Sequence, residues 1–157
     1  MWRISCVLCG NMSFPMRRRL LLVEDNVVAA AAIQLALVDQ GFDTEVVNLG
    51  RQAIGRLIQS RFDAVVIDLT LPDLDGGALA EMIRYDWPDL PMILMSGYDR
   101  PARLAPFLEN RLTAFLQKPF EITALVSEIE LRLSRSRESS GRASTSPRHE
   151  VKDTRHV

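Results

Sequence analysis

The chain has 157 residues, 47% of them apolar and 25% charged, with 19 basic and 20 acidic side chains. That fills one core rather than two, and no run approaches the about 18 apolar residues of a membrane span. The near-balance of charge hides an acidic body, nine basic against 17 acidic residues over 20–133, between basic ends; this is not the footprint of a nucleic-acid-binding fold.

Residues 1–15 show no clear apolar period, and Arg3, Arg17, Arg18 and Arg19 are unrelieved by any acid before residue 20. Cys6 and Cys9 are spaced C-x-x-C, but a metal or redox site needs a second pair or a strand–helix context, and neither is present. The basic cluster follows the short apolar stretch instead of preceding it, which is not a secretory pattern. A cytoplasmic chain is expected, with 1–17 a disordered leader or a start misplaced upstream of Met16.

Arg19 to Val23 reads as a buried strand ending at Glu24-Asp25-Asn26. Asn26 suits the N-cap of a helix from Val27 to Gln40, which Gly41 closes. Val27, Val28, Ala29 to Ala32, Ile33, Leu35, Ala36, Leu37 and Val38 cover more than one face of that helix, which fits either a helix rich in strong formers with Ala tolerated outside or a face that docks a partner. Phe42 to Val47 is a second strand, and Arg51 to Ser60 a second helix.

Ala64-Val65-Val66-Ile67 reads as a strand buried on both faces. It ends on Asp68, after which Pro72, Gly76 and Gly77 punctuate the chain. Gly77 to Tyr85 is a third helix, and Met92 to Met95 a fourth strand ending at Ser96-Gly97. Between Arg100 and Asn110 a fourth helix is expected to be broken or shortened by Pro106. Thr113 to Gln117 forms a fifth strand leading to Lys118-Pro119-Phe120. A last helix from Glu121 to Leu133 puts Ile122, Leu125, Val126, Ile129 and Leu133 on one face. From Ser134 the chain is Ser-, Arg- and Thr-rich, and 135–157 is expected to be a disordered tail.

Strands alternating with helices describe an α/β parallel sheet covered on both faces. In such sheets ligands bind beyond the carboxyl ends of the strands. There the chain delivers Glu24 and Asp25 from the first strand, Asp68 from the third, Ser96 from the fourth and Lys118 from the fifth. Only two lysines stand beside 17 arginines, and Lys118 is the only one within 20–133; a compact charge on a flexible stem is wanted there. Crowded carboxylates repel unless a cation joins them, and Mg²⁺ is held by one or two carboxylates plus phosphate oxygen and water. Asp68 could then stay ionised and attack phosphorus, with Mg²⁺, Lys118, and Ser96 with nearby backbone N–H groups taking the three equatorial oxygens.

Four motifs carry a resemblance: Leu21-Leu22-Val23-Glu24-Asp25-Asn26, the run from Ile67 to Gly76, Met95-Ser96-Gly97, and Phe115-Leu116-Gln117-Lys118-Pro119-Phe120. Over residues 18–134 the chain resembles the response-regulator receiver domain, the chemotaxis-regulator type of flavodoxin-like fold. The resemblance implies a five-stranded sheet in the order 2-1-3-4-5. It implies that Asp68 is phosphorylated by a histidine kinase or histidine phosphotransfer protein, with Glu24, Asp25, Asp68 and the Thr70 carbonyl around Mg²⁺. Ser96 would follow the phosphoryl group inward, Phe115 would swing with it as an aromatic switch, and Lys118 would bind a phosphoryl oxygen. Pro119 fits the family's Lys–Pro bond, often cis, while Thr70 and Tyr98 would border the site and set phosphoryl lifetime. In the family, signalling often runs through the fourth helix, fifth strand and fifth helix, and Pro106 disturbs that fourth helix here.

Three rival readings fit the residues less well. A haloacid-dehalogenase-type hydrolase places a second Asp two residues after the nucleophile, where this chain has Thr70, and its nucleophile is usually on the first strand. A DNA-binding regulator needs a helix-turn-helix domain that the tail is too short to hold. A degenerate receiver would be a phosphorylation-independent protein-binding module, against which the intact Glu24, Asp25, Asp68, Ser96 and Lys118 argue. The expectation is a single-domain receiver, monomer or weak homodimer, without direct nucleic-acid or membrane contact. It would catalyse only its own phosphorylation and dephosphorylation, and act by protein contact or as a phosphorelay intermediate.

Overall fold

Strands β1 (Arg19–Val23), β2 (Asp43–Val47), β3 (Ala64–Asp68), β4 (Met92–Ser96) and β5 (Thr113–Gln117) pair in parallel in the order β2-β1-β3-β4-β5. The computed structural model describes residues 17–99 and 102–142. The helices are α1 (Val27–Asp39), α2 (Gly50–Gln59), α3 (Gly76–Asp86), α4 (Ala105–Leu108) and α5 (Ile122–Arg142). This is the flavodoxin-like doubly wound sheet expected from the sequence. The C-x-x-C pair Cys6 and Cys9, the expected leader up to Met16, Pro101 and the expected tail from 143 lie outside the described residues.

Alternation along the strands divides the core. Leu20, Leu22, Ala64, Val66, Ile93, Met95 and Ala114 pack with Ile33 and Leu37 of α1 and Leu125, Ile129 and Leu133 of α5. Their neighbours Leu21, Val23, Val65, Ile67, Met92 and Leu94 pack on the other face with Leu57 of α2 and Leu79 and Ile83 of α3. Every residue of β3 and β4 is buried, which is why these strands read as apolar runs and not as alternating ones. Burying each large apolar side chain stabilises the fold by about 1.5–3 kcal/mol, and the sheet becomes the rigid frame from which the carboxyl edge projects.

Local signals set the helix ends. The Asn26 side chain accepts from the Ala29 amide at 3.0 Å, as its N-cap position predicts. Gly41 follows α1 with φ +89°, a conformation that side chains disfavour. Before α4 a 3₁₀ turn spans Ala102–Leu104, and the helix itself is a single turn holding Pro106 in its first positions. The shortening expected of Pro106 is therefore observed.

One boundary needs correcting. The last helix continues past Leu133 to Arg142, through the first part of the expected disordered tail. Extending a formed helix adds one hydrogen bond per residue without a new nucleus, so polar residues suffice. Tertiary contacts hold the extension: Arg111 pairs with Glu138 at 2.9 Å, Ser136 Oγ donates to the Asp89 carbonyl at 3.2 Å, and Arg135 donates to the Arg111 carbonyl at 3.3 Å. None of these is visible in the polar composition that suggested a tail.

Candidate functional site at the carboxyl edge

Register brings the acids together. Val23 of β1 lies opposite Ile67 of β3, so the next residues, Glu24 and Asp68, leave adjacent strands side by side. Both continue the alternation that faces α1 and α5. Across β4, Ser96 pairs with Gln117, and Lys118 follows. The Lys118 stem spans the intervening strand. Its Nζ donates to Asp68 Oδ2 at 2.7 Å and to Glu24 Oε2 at 2.6 Å. Glu24 and Asp68 are 1% and 6% exposed, so the ammonium is held between two carboxylates largely shielded from water.

Burial raises the Glu24 pKa, the charge of Asp68 adds to the rise, and the hydrogen bonds from Lys118 and the Asn26 amide oppose it. For Lys118, burial disfavours the ammonium, but the hydrogen bonds and charges of Asp68 and Glu24 together outweigh it and its pKa is raised. Asp25 is exposed, and one carboxylate oxygen each from Glu24, Asp25 and Asp68 lie within 4.8 Å of one another. Three hard oxygen donors with no thiolate or imidazole suit Mg²⁺ far better than a soft or borderline metal.

Thr70 and Ser96 are tied to this centre by hydrogen bonds to Asp68 and from the Lys118 amide. Thr70 is exposed, and its amide donates to Asp68 Oδ1 at 2.8 Å, orienting the carboxylate. Ser96 is buried at the end of β4, where its Oγ accepts from the Tyr98 amide at 3.0 Å and its carbonyl accepts from the Lys118 amide at 2.7 Å. The Ser96 hydroxyl makes its bond to the Tyr98 amide and not to Asp68. Tyr98 is 74% exposed. Phe115 is half-buried and packs on the α2–α3 side of the sheet. The Lys118–Pro119 bond is cis.

The structure adds residues that sequence reasoning left without a role. Asn48 Nδ2 donates to the Glu24 carbonyl at 3.3 Å, and Asp73 accepts from the amides of Gly50 and Arg51 at 2.9 and 3.1 Å. Gly76 carries a steric signal: a Cβ there would lie 2.4 Å from Leu69 Cα and 2.7 Å from the Asp68 carbonyl oxygen. Only glycine lets α3 start so close to the end of β3. A hollow of about 520 Å³ lies at the opposite, amino edge between Leu57, Phe62, Trp87 and Leu90; it contains none of the clustered carboxylates, so the chemistry belongs to the carboxyl edge. Among the described residues no helix is long and apolar enough to cross a membrane.

Residues 20–130 match the response regulator receiver domain model. The chain is 28% identical over 128 residues to the transcriptional regulatory protein PcoR of Escherichia coli, a match covering 82% of this chain and 57% of that protein. It is 31% identical over 121 residues to the DNA-binding response regulator MtrA of Mycobacterium tuberculosis, covering 77% of this chain and 53% of the other. The chain thus spans little more than half the length of these relatives. The solved CheY-like receiver domain protein of Methanospirillum hungatei shares the fold with a TM-score of 0.72 at 22% identity, over 78% of this chain and 98% of that one.

Proposed function

The chain belongs to the response regulator receiver domain family of two-component systems, and from that premise we propose that it accepts a phosphoryl group from a phosphohistidine partner onto Asp68. The observation that carries this reading is Lys118 bonded to both Asp68 and Glu24, with the Asp25 carboxylate alongside. In the transfer an Asp68 carboxylate oxygen attacks phosphorus in line. The acyl phosphate P–O bond forms as the P–N bond to the partner histidine breaks, and the imidazole leaves with the electron pair of that bond.

Glu24, Asp25, Asp68 and the Thr70 carbonyl would hold Mg²⁺, which when bound neutralises charge on the transferring group and keeps the carboxylates ionised. The chain's own residues do the rest. Thr70 N–H fixes one Asp68 oxygen, leaving the carboxylate oriented before the partner arrives. Lys118, within 2.7 Å of Asp68, supplies an ammonium to a phosphoryl oxygen. Ser96, whose oxygen already accepts from the Tyr98 amide, would donate its hydroxyl proton to another. Phe115 would move with Ser96, from the half-buried position it occupies on the α2–α3 side. Pro119 would set the turn by which Lys118 enters the site, and Thr70 and Tyr98 would govern phosphoryl lifetime.

We read the receiver as a monomer or weak homodimer that meets a histidine kinase or histidine phosphotransfer protein. It then signals by protein contact or passes the group on in a phosphorelay, with no catalysis beyond its own phosphorylation and dephosphorylation. The acidic balance of 20–133 supports an output without direct nucleic-acid contact. On α1, Val27 is 71%, Val28 80% and Leu35 65% exposed beside the acidic edge, which supports docking of the partner there. Val28→Glu or Ala31→Glu should slow phosphotransfer from the cognate partner, and unchanged kinetics would remove the docking role.

Intact-mass spectrometry after incubation with Mg²⁺ and acetyl phosphate tests the central claim. One acid-labile phosphoryl adduct on the wild type, absent from Asp68→Asn, is expected. A folded wild type that takes no adduct would leave a phosphorylation-independent binding module.

A further inference from the structure

We infer that Asp73 is a positioning residue for Asp68, acting through the β3–α3 loop; this rests on the phosphoacceptor reading above. The first turn of α2 has no side-chain cap of its own, since the N-cap residue is Leu49. Its free amides at Gly50 and Arg51 are taken instead by the two carboxylate oxygens of Asp73, one each, at 2.9 and 3.1 Å. A carboxylate at a helix N-terminus is favoured by both the open donors and the dipole, so the clamp is a strong local bond between segments 22 and 23 residues apart.

The clamp matters because of what lies on either side. Asp73 is three residues past Thr70, whose amide aims Asp68 Oδ1. The loop is also held by Leu69 N–H on the Met95 carbonyl at 2.8 Å and Gly76 N–H on the Leu69 carbonyl at 3.2 Å, by Leu69 and Leu71 packed against the core, and by Asp75 accepting from the Ala78 amide. On the other side, Asn48 just ahead of α2 donates to the Glu24 carbonyl at 3.3 Å. Leu74 also packs where a side chain at Gly50 would stand, 3.2 Å from the position of its Cβ. The start of α2 therefore grips both acid-bearing loops, Glu24 through Asn48 and the Asp68 loop through Asp73. Ala53 and Leu57, buried against the sheet, hold α2 itself in place. Release of Asp73 frees the middle of the loop and with it the Thr70 amide that orients the acceptor.

A residue that only capped α2 would leave Thr70 and the chemistry untouched, and that difference sets the test. Full-length wild type, Asp73→Ala and Asp73→Asn are compared by amide hydrogen exchange and by the rate of phosphorylation with Mg²⁺ and acetyl phosphate. In Asp73→Ala the Gly50, Arg51 and Thr70 amides should all exchange at least about ten-fold faster while β3 and β4 stay protected. The maximal phosphorylation rate should fall about five-fold or more with the half-saturating acetyl phosphate concentration within about two-fold, the signature of lost orientation rather than lost binding. Asp73→Asn keeps an acceptor oxygen and should recover at least about half of the rate; it is the variant to follow if Asp73→Ala does not fold. Faster exchange at Gly50 and Arg51 with an unchanged Thr70 amide and rate overturns the inference and leaves a helix cap. A wild type that takes no phosphoryl group defeats the phosphoacceptor reading instead, and Thr70 exchange then decides alone whether Asp73 sets the loop.

Discussion

At the carboxyl edge of the sheet Lys118 stands between Glu24 and Asp68, so that two carboxylates share one ammonium, with the Asp25 carboxylate within 4.8 Å of both. Near the amino edge guanidinium groups bond to fixed acceptors, with Arg84 Nε and Arg132 Nη1 buried without a partner. Arg84 donates to the carbonyls of Pro88 and Leu90 at 2.6 and 3.0 Å and to Thr113 Oγ1 at 3.0 Å. Arg132 donates to the Thr113 carbonyl at 3.1 Å and pairs with Glu128 at 2.8 Å. Arg19 lies over the Phe62 ring at 4.8 Å and pairs with Asp43 and Glu45. Burial lowers the pKa of both Arg84 and Arg132, with Asp89 and Glu128 opposing, yet an arginine stays charged. The planar fork pins backbone that must not move. The lysine is a point charge on a flexible stem, able to exchange one oxygen for another. One edge spends its charges on stability and the other keeps a charge imbalance that a cation and a phosphoryl group would relieve.

The largest expected effect is at Asp68. Asp68→Asn should abolish the phosphoryl adduct in intact-mass measurements while thermal unfolding stays at or above the wild-type midpoint, because Glu24 and Lys118 are left as a simple pair. A marked fall in midpoint would make Asp68 structural and erase the contrast between the edges. Next, Arg84→Ala should destabilise by about 2 kcal/mol in denaturant unfolding, since the partly buried Leu90 carbonyl and the buried Thr113 hydroxyl lose their donor, with the phosphorylation rate unchanged well below the transition.

Exchanging the two cations sharpens the comparison further. Lys118→Arg keeps the charge but replaces a mobile ammonium with a wide fork, and phosphorylation from acetyl phosphate should slow about ten-fold. Arg84→Lys keeps the charge but satisfies fewer of the three acceptors, and should destabilise by about 1–2 kcal/mol in the same unfolding assay. If both swaps were silent, charge alone would suffice at either edge.

The smallest effect is at Glu45. Its hydrogen bond from Arg56 holds the carboxyl below its ordinary value of 4.5, against the opposing effect of burial and with help from the charges of Arg56 and Arg19. A lowered folded-state pKa stabilises above the unfolded value, and that contribution is lost as pH falls through the folded value. Glu45→Gln should therefore lower the melting temperature by about 2 °C at pH 7, and the difference should close on acidification below the ordinary carboxylate range.

Much of this was legible along the chain. The apolar runs 64–67 and 92–95 are buried on both faces, as their lack of alternation implies. Asn26 and Gly41 mark the ends of α1 because capping is chemistry within a few residues. Glu24, Asp25, Asp68 and Lys118 were singled out because each ends or follows a strand, and parallel strands put those ends on one edge. The extension of α5 was not legible, because its reasons are Arg111 and Asp89, more than 20 residues away. Neither was the partnership of Asp73 with Gly50 and Arg51: an aspartate between Pro72 and Leu74 reads locally as a turn residue.

The sequence by itself determined the strands, their burial and which side chains stand at the carboxyl edge, since period, caps and strand ends are properties of neighbours in the chain; the strand order came with the family resemblance that the four motifs carry. Only the tertiary structure decided that Lys118 bridges Glu24 and Asp68, that Ser96 bonds to the Tyr98 amide, and that α2 grips both acidic loops. Those contacts join residues up to 94 positions apart. Their distances follow from strand register and from the fit of helices on the sheet, which no local pattern of residues encodes.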